Sequence, residues 1–121
     1  MTREKLIEHI ANIYGVDAEY PWESAPKFAV FRHQNNRKWF AVIMDLSKQK
    51  LGFDSDAMID VLNLKCDPIL IGNLRNENGF YPAYHMNKTY WITVALDGSV
   101  EDEKIKWLVD LSFDLTDKKK K

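Results

Sequence analysis

The apolar positions of this chain change period several times, and each change marks an element. Leu6, Ile10, Ile13 and Tyr14 recur at helical spacing between Thr2, a suitable N-cap, and Gly15, which can close a helix in the left-handed conformation. Tyr20-Pro21-Trp22 then reads as an extended connector, because the residue before a proline is pushed away from helical angles. Phe28 to His33 and Lys38 to Leu46 predict two strands joined by the polar loop Gln34-Asn35-Asn36-Arg37. In the second strand strict alternation would put Phe40, Val42, Met44 and Leu46 on one face and Trp39, Ala41 and Ile43 on the other. A third strand runs from about Met58 to Lys65. Its alternation slips near Val61-Leu62, which fits either burial on both faces or a bulge.

Asp67-Pro68 has the form of a helix start, with Asp67 as N-cap, Pro68 at the first helical position, and Ile69, Leu70 and Leu74 as anchors. Asn78-Gly79 ends that helix. Phe80 to Met86 and Thr89 to Leu96 predict a second hairpin turning around Asn87-Lys88, with Tyr90, Ile92, Val94 and Leu96 on one face. After Asp97-Gly98, Ser99 is expected to cap a last helix, with Asp102 three residues on and Ile105, Leu108, Val109 and Ser112 facing inward. The order is α-β(3)-α-β(2)-α. Hairpin connections make the sheet antiparallel, so the expected fold is a two-layer α+β domain with helices on one face. Residues 1–116 are expected to form one domain and 117–121 a lysine-rich, frayed tail.

Composition narrows the setting. No apolar run reaches the roughly 20 residues a membrane helix needs, and the N-terminus lacks the pattern of a signal peptide. The single cysteine cannot form an internal disulfide, so the expectation is a cytoplasmic protein with no membrane partner. Net charge is −1, against indiscriminate polyanion binding, yet the charge is uneven. Ser24 to Met44 holds no acidic residue but contains Lys27, Arg32, Arg37 and Lys38, whereas acids crowd the last helix.

Candidate chemistry is sparse. His9, His33, His85 and Cys66 have no metal-ligand spacing, Asp54-Ser55-Asp56 lacks the remainder of a calcium loop, and the glycines stand singly, so no metal and no cofactor is expected. Cys66 beside Lys65 is either a nucleophile with a depressed pKa or a small core residue. His85 is the best acid–base candidate, with Asp67 or Asp97 as conceivable partners; the alternative is a structural hydrogen bond that shapes the hairpin. No catalytic constellation emerges.

Asn63-Leu64-Lys65-Cys66-Asp67-Pro68 and Tyr84-His85-Met86-Asn87-Lys88-Thr89-Tyr90-Trp91, with Tyr20-Pro21-Trp22 and Trp39-Phe40-Ala41-Val42-Ile43, resemble the MmcQ/YjbR family of small bacterial proteins over roughly residues 1 to 116. That resemblance implies a fold similar to secretion chaperones and DNA binding through a double wing of β-hairpins, and it brings no catalytic residue set. The implied wings are the Arg32–Lys38 and Met86–Tyr90 turns. Arg32, Arg37, Lys38 and Lys88 would neutralise phosphates, while His85, Asn87 and the amides of Gln34, Asn35 and Asn36 would fix register. Tyr81, Tyr84 and Trp91 either stack on unpaired bases or pack beside the sheet. A pI of about 6.3 runs against the usual strongly basic nucleic-acid domain, so contact is expected through one face only. Two other roles fit: a protein-binding adaptor or homodimer using Trp107 and Phe113 of the last helix, and a small-molecule binder using His85, with Cys66, Lys65 or Lys88 converging on a pocket.

Overall fold

Residues 1–117 are described by the structure, a computed structural model; the expectation for Lys118–Lys121 lies outside them. Helix α1 spans Arg3–Tyr14, capped by the Thr2 hydroxyl, which accepts from Lys5 N at 3.2 Å. Gly15 closes it at φ 67°, its N–H donating to Ala11 O. Leu6 and Ile10 are buried, and Tyr14 stacks on Phe113 at 4.5 Å. Ile13 departs from the expected stripe and is 60% exposed.

Five strands follow: β1 (Ala29–Arg32), β2 (Trp39–Ser47), β3 (Met58–Lys65), β4 (Phe80–Pro82) and β5 (Trp91–Ala95). Their spatial order is β1-β2-β3-β5-β4, with every neighbour antiparallel. The central strand β3 pairs with β2 and β5 in unbroken register, so the slip at Val61-Leu62 reflects burial on both faces rather than a bulge. On one face Ala29, Phe31, Ala41, Ile43, Leu62, Leu64, Ile92 and Val94 form a core with the three helices. On the other, Val30, Val42, Met44, Leu46, Ile59, Val61 and Ala95 pack under Phe28, Trp39, Leu51, Tyr81 and Tyr84 from loops and strand ends.

A bulge does occur, one strand earlier than the expected irregularity. Arg32 pairs with Trp39 but Phe31 pairs with Ala41, leaving Phe40 as the extra residue. It corrects the alternation read from sequence: Phe40 joins Ala41 and Ile43 in the helix-side core, while Trp39 turns to the opposite face with Val42 and Met44. The Phe40 carbonyl, released from the ladder, accepts the buried Ser112 hydroxyl at 2.6 Å, and Ser112 Oγ in turn accepts Lys65 N at 3.0 Å.

Helix α2 (Pro68–Leu74) starts as expected, with Asp67 Oδ1 accepting Ile69 N at 2.9 Å. Its buried anchors are Ile71 and Leu74, with Leu70 half-buried; Ile69 is 79% exposed. Helix α3 (Asp102–Thr116) begins after Glu101, and no side chain caps it. Ser99 instead belongs to the preceding turn, where both its N–H and its hydroxyl donate to Asp97 Oδ1. Ile105, Leu108, Val109 and Ser112 are buried, as the spacing predicts.

The second hairpin is shorter than the sequence suggests. Proline has no N–H to extend a ladder, so β4 stops at Pro82, and residues 83–90 form a long loop before β5. Tyr90, expected on the buried face of the return strand, is 49% exposed at its edge.

Candidate functional site

Strand register fixes where the two expected wings lie. Ala41 at the start of β2 is level with Leu64 near the end of β3, and Leu64 is level with Ile92 at the start of β5. The loop entering β2 and the loop entering β5 therefore leave from one end of the sheet. Only β3 separates these two strands, so they lie about 10 Å apart, two inter-strand steps.

The first loop, between Arg32 and Trp39, is built largely for the fold. Gln34 Nε2 donates to Gly15 O at 3.1 Å, Asn36 Nδ2 to Thr116 O at 2.8 Å and Asn35 Nδ2 to Asp117 Oδ1 at 3.5 Å. Asn36 Oδ1 accepts Lys38 N at 2.9 Å. His33 is buried against Phe113 and Phe40 and shares a 2.8 Å hydrogen bond with Thr116 Oγ1. The amides expected to contact a ligand thus tie the loop to the ends of α1 and α3. Arg37 adopts φ 64° and remains exposed.

The acid-free reading of this segment also changes in three dimensions. Glu19 forms an antiparallel bridge with Val30, with N–H···O distances of 2.9 and 2.8 Å. That bridge sets its carboxylate against Arg32: Oε2 accepts Nε at 3.2 Å, and Oε1 accepts Nη2. Arg37 Nη2 lies 4.0 Å from the same Oε1. The Arg32 guanidinium holds the Glu19 carboxyl below its ordinary value. Lys38 and Lys88 are both exposed, and among the described residues neither has a carboxylate partner.

The second loop hangs on a buried polar pair in the sheet. Asn63 and Thr93 face each other across β3 and β5, and Thr93 Oγ1 donates to Asn63 Oδ1 at 2.5 Å. Asn63 Nδ2 then donates to Tyr84 O at 2.9 Å, and Tyr84 N donates to Thr93 Oγ1 at 3.0 Å. Side chains here replace the ladder that Pro82 ends. Tyr84 is pinned, and His85 follows at φ 60°, an uncommon conformation for a residue with a Cβ. Its ring lies 4.0 Å from that of Tyr84. Asn87 Oδ1 accepts Thr89 N at 2.8 Å, so Asn87 also shapes its own turn.

Segment 84–86 contributes to the lining of two clefts on the face that the helices leave uncovered. One, of about 370 Å³, is lined by Trp22, Ala25, Phe28, Trp39, Val42, Met44, His85 and Met86. Trp22 meets both Phe28 and Trp39 edge to face, at 6.2 and 5.7 Å. The other, of about 320 Å³, is lined by Lys50, Leu51, Tyr81, Pro82, Ala83, Tyr84 and Lys88. The sequence reading singled out Tyr81, Tyr84, His85 and Lys88 but missed Trp22, Phe28 and Trp39. Tyr20-Pro21-Trp22 was the available signal: an aromatic held in an extended connector next to a sheet.

Cys66 does not join His85. It is buried with the helix-side core, and burial pushes its thiol up to about 11; the backbone hydrogen bond with Asp67 opposes the rise and the charge of Asp67 adds to it. Asp97 is occupied by Ser99, and Asp67 caps α2, so neither pairs with His85 as an acid–base partner. Among the described residues no three His, Cys, Asp or Glu side chains gather as metal ligands, and no helix is long and apolar enough to cross a membrane. On α3, Phe113 belongs to the aromatic stack with Tyr14 and Phe40, whereas Trp107 is 48% exposed.

Known proteins are similar to this chain over nearly all of the domain or over part of it. YyaQ of Bacillus subtilis (strain 168), an uncharacterized protein, is 41% identical over 116 residues, covering 96% of this chain and 98% of its own. YjbR of Escherichia coli (strain K12), also uncharacterized, is 43% identical over 53 residues, covering 43% of this chain and 45% of its own. A crystal structure of a Pseudomonas syringae protein superposes with a TM-score of 0.94 at 44% identity, covering 97% of this chain and 100% of the other. A Deinococcus radiodurans protein gives a TM-score of 0.74 at 26% identity, covering 98% and 80%. The model of the YjbR family matches residues 11–115, and with that span and these relatives the chain belongs to the YjbR family.

Proposed function

We propose that this chain is a cytoplasmic, non-enzymatic nucleic-acid-binding module that grips the phosphate backbone with its two loops. The observation that carries this reading is the shared end of the sheet from which both loops leave, with Lys38 on one and Lys88 on the other lacking carboxylate partners among the described residues. Arg37, Lys38 and Lys88 supply the phosphate contacts, His85 and Asn87 the neighbouring polar ones. Arg32 is a reserve cation, engaged by Glu19. Three phosphate contacts are few, which accords with a near-neutral protein that uses one patch.

A salt titration tests it. With three neutralised phosphates on duplex DNA, affinity is expected to fall about 40-fold between 50 and 200 mM salt. Lys38→Glu with Lys88→Glu should abolish the binding. Absence of salt-sensitive binding to DNA and RNA, or indifference to the double charge reversal, overturns the reading.

A further inference from the structure

Resting on that reading, we infer that the preferred ligand is a single strand, with one unpaired base seated in the cleft of Trp22, Phe28, Trp39 and Met86 and the backbone crossing segment 84–86 at His85. The two clefts of the uncovered face differ in a way that suits the two halves of a nucleotide. The first is apolar and aromatic, and its 370 Å³ lies within the range of small-molecule pockets. Its rings stand in two nearly perpendicular planes, the Trp22–Trp39 interplanar angle being 84°, so a planar heterocycle can meet a face and an edge at once. The second has two tyrosine rings with Lys50 and Lys88 at its walls, a place for a phosphate.

On each loop a lysine lies within two residues of the apolar cleft's lining. Lys38 immediately precedes Trp39, and Asn87-Lys88 follow Met86. A cation beside each aromatic or thioether wall is the arrangement that tracks a backbone while stacking its bases. A duplex keeps its bases stacked on each other and offers no ring to this cleft. His85 is exposed at the lip, where either ring nitrogen can meet the hydrogen-bonding edge of a base.

Tryptophan fluorescence, with Trp22 and Trp39 in the cleft, gives a direct readout. The wild-type protein is titrated with a single-stranded oligonucleotide of about ten nucleotides and with the same sequence as a duplex, at one salt concentration. The single strand is expected to bind at least about 10-fold tighter and to quench emission. Trp22→Ala removes a partly exposed ring, 37% accessible, and should weaken single-strand binding about 5- to 100-fold while leaving the duplex unchanged. Lys50→Glu, outside both loops, should weaken the single strand alone. Equal binding of the two forms with Trp22→Ala and Lys50→Glu silent overturns the base seat while the backbone grip stands. Loss of all binding in the wild type overturns both. Urea midpoints for each variant separate a lost contact from a lost fold.

Discussion

Glu19 governs how much charge the first loop can present. It lies outside the acid-free stretch of sequence, yet its bridge to Val30 puts the carboxylate on Arg32 and within 4.0 Å of Arg37. Local composition therefore overstated the positive charge of this loop, because pairing across the sheet edge brings in a residue more than ten positions upstream. Glu19→Gln should release both guanidinium groups. Nucleic-acid affinity is then expected to rise, and the slope of log affinity against log salt to steepen by about one unit, the signature of one more neutralised phosphate. An unchanged slope would show that the released Arg32 contacts no phosphate. Other residue-level readings were legible because their reasons are local: Thr2, Gly15 and Asp67 act as caps where capping chemistry put them. Ile69 was not, since the helical stripe of a short α2 can be rotated by one position without changing its capping.

At the scale of elements, helices and strands could be read from period alone, but the ends of the second hairpin could not. Pro82 signalled that β4 must stop, while nothing local revealed that Asn63 and Thr93, on β3 and β5, would take over the backbone of Tyr84. That pair converts an expected tight turn into a longer loop pinned at Tyr84, with His85 next to the pin. Asn63→Ala would leave the half-buried Tyr84 carbonyl and the buried Thr93 hydroxyl each short of a partner, at a cost of about 1–3 kcal/mol. Urea denaturation should show that loss, and hydrogen exchange should show it accompanied by faster opening of residues 83–90 than of β1 and β2. Uniform loosening of the whole sheet would mean the pair serves the core rather than the loop.

For the whole molecule, the α+β order and the helix-covered face were plain from the sequence, whereas the clefts were not, because they arise from segments far apart in the chain meeting on the other face. The same long-range pairings set the acid response. Glu19 is held below its ordinary value of 4.5, mainly by Arg32. Asp97 is held below 3.8: burial opposes this, but the hydroxyl and backbone of Ser99 and the charge of Lys48 outweigh it. Carboxyls depressed in the folded state stabilise it fully above their unfolded pKa and lose that contribution as pH falls through the folded value. The urea midpoint is thus expected to be level from neutrality to about pH 5 and to fall below about pH 4, with Glu19→Gln reducing the drop. A midpoint that stays constant to pH 3 would contradict these assignments. The extra residue at Phe40 has a wider consequence. It makes the spacing between the first loop and Val42, rather than the identity of any one side chain, the determinant of which aromatic ring looks outward. The same residues run without the bulge would alternate strictly, carry Trp39 into the interior with Ala41 and Ile43, and remove a wall of the cleft. Binding specificity in such a scaffold can therefore be gained or lost by a shift of strand register, with every aromatic residue still in the sequence.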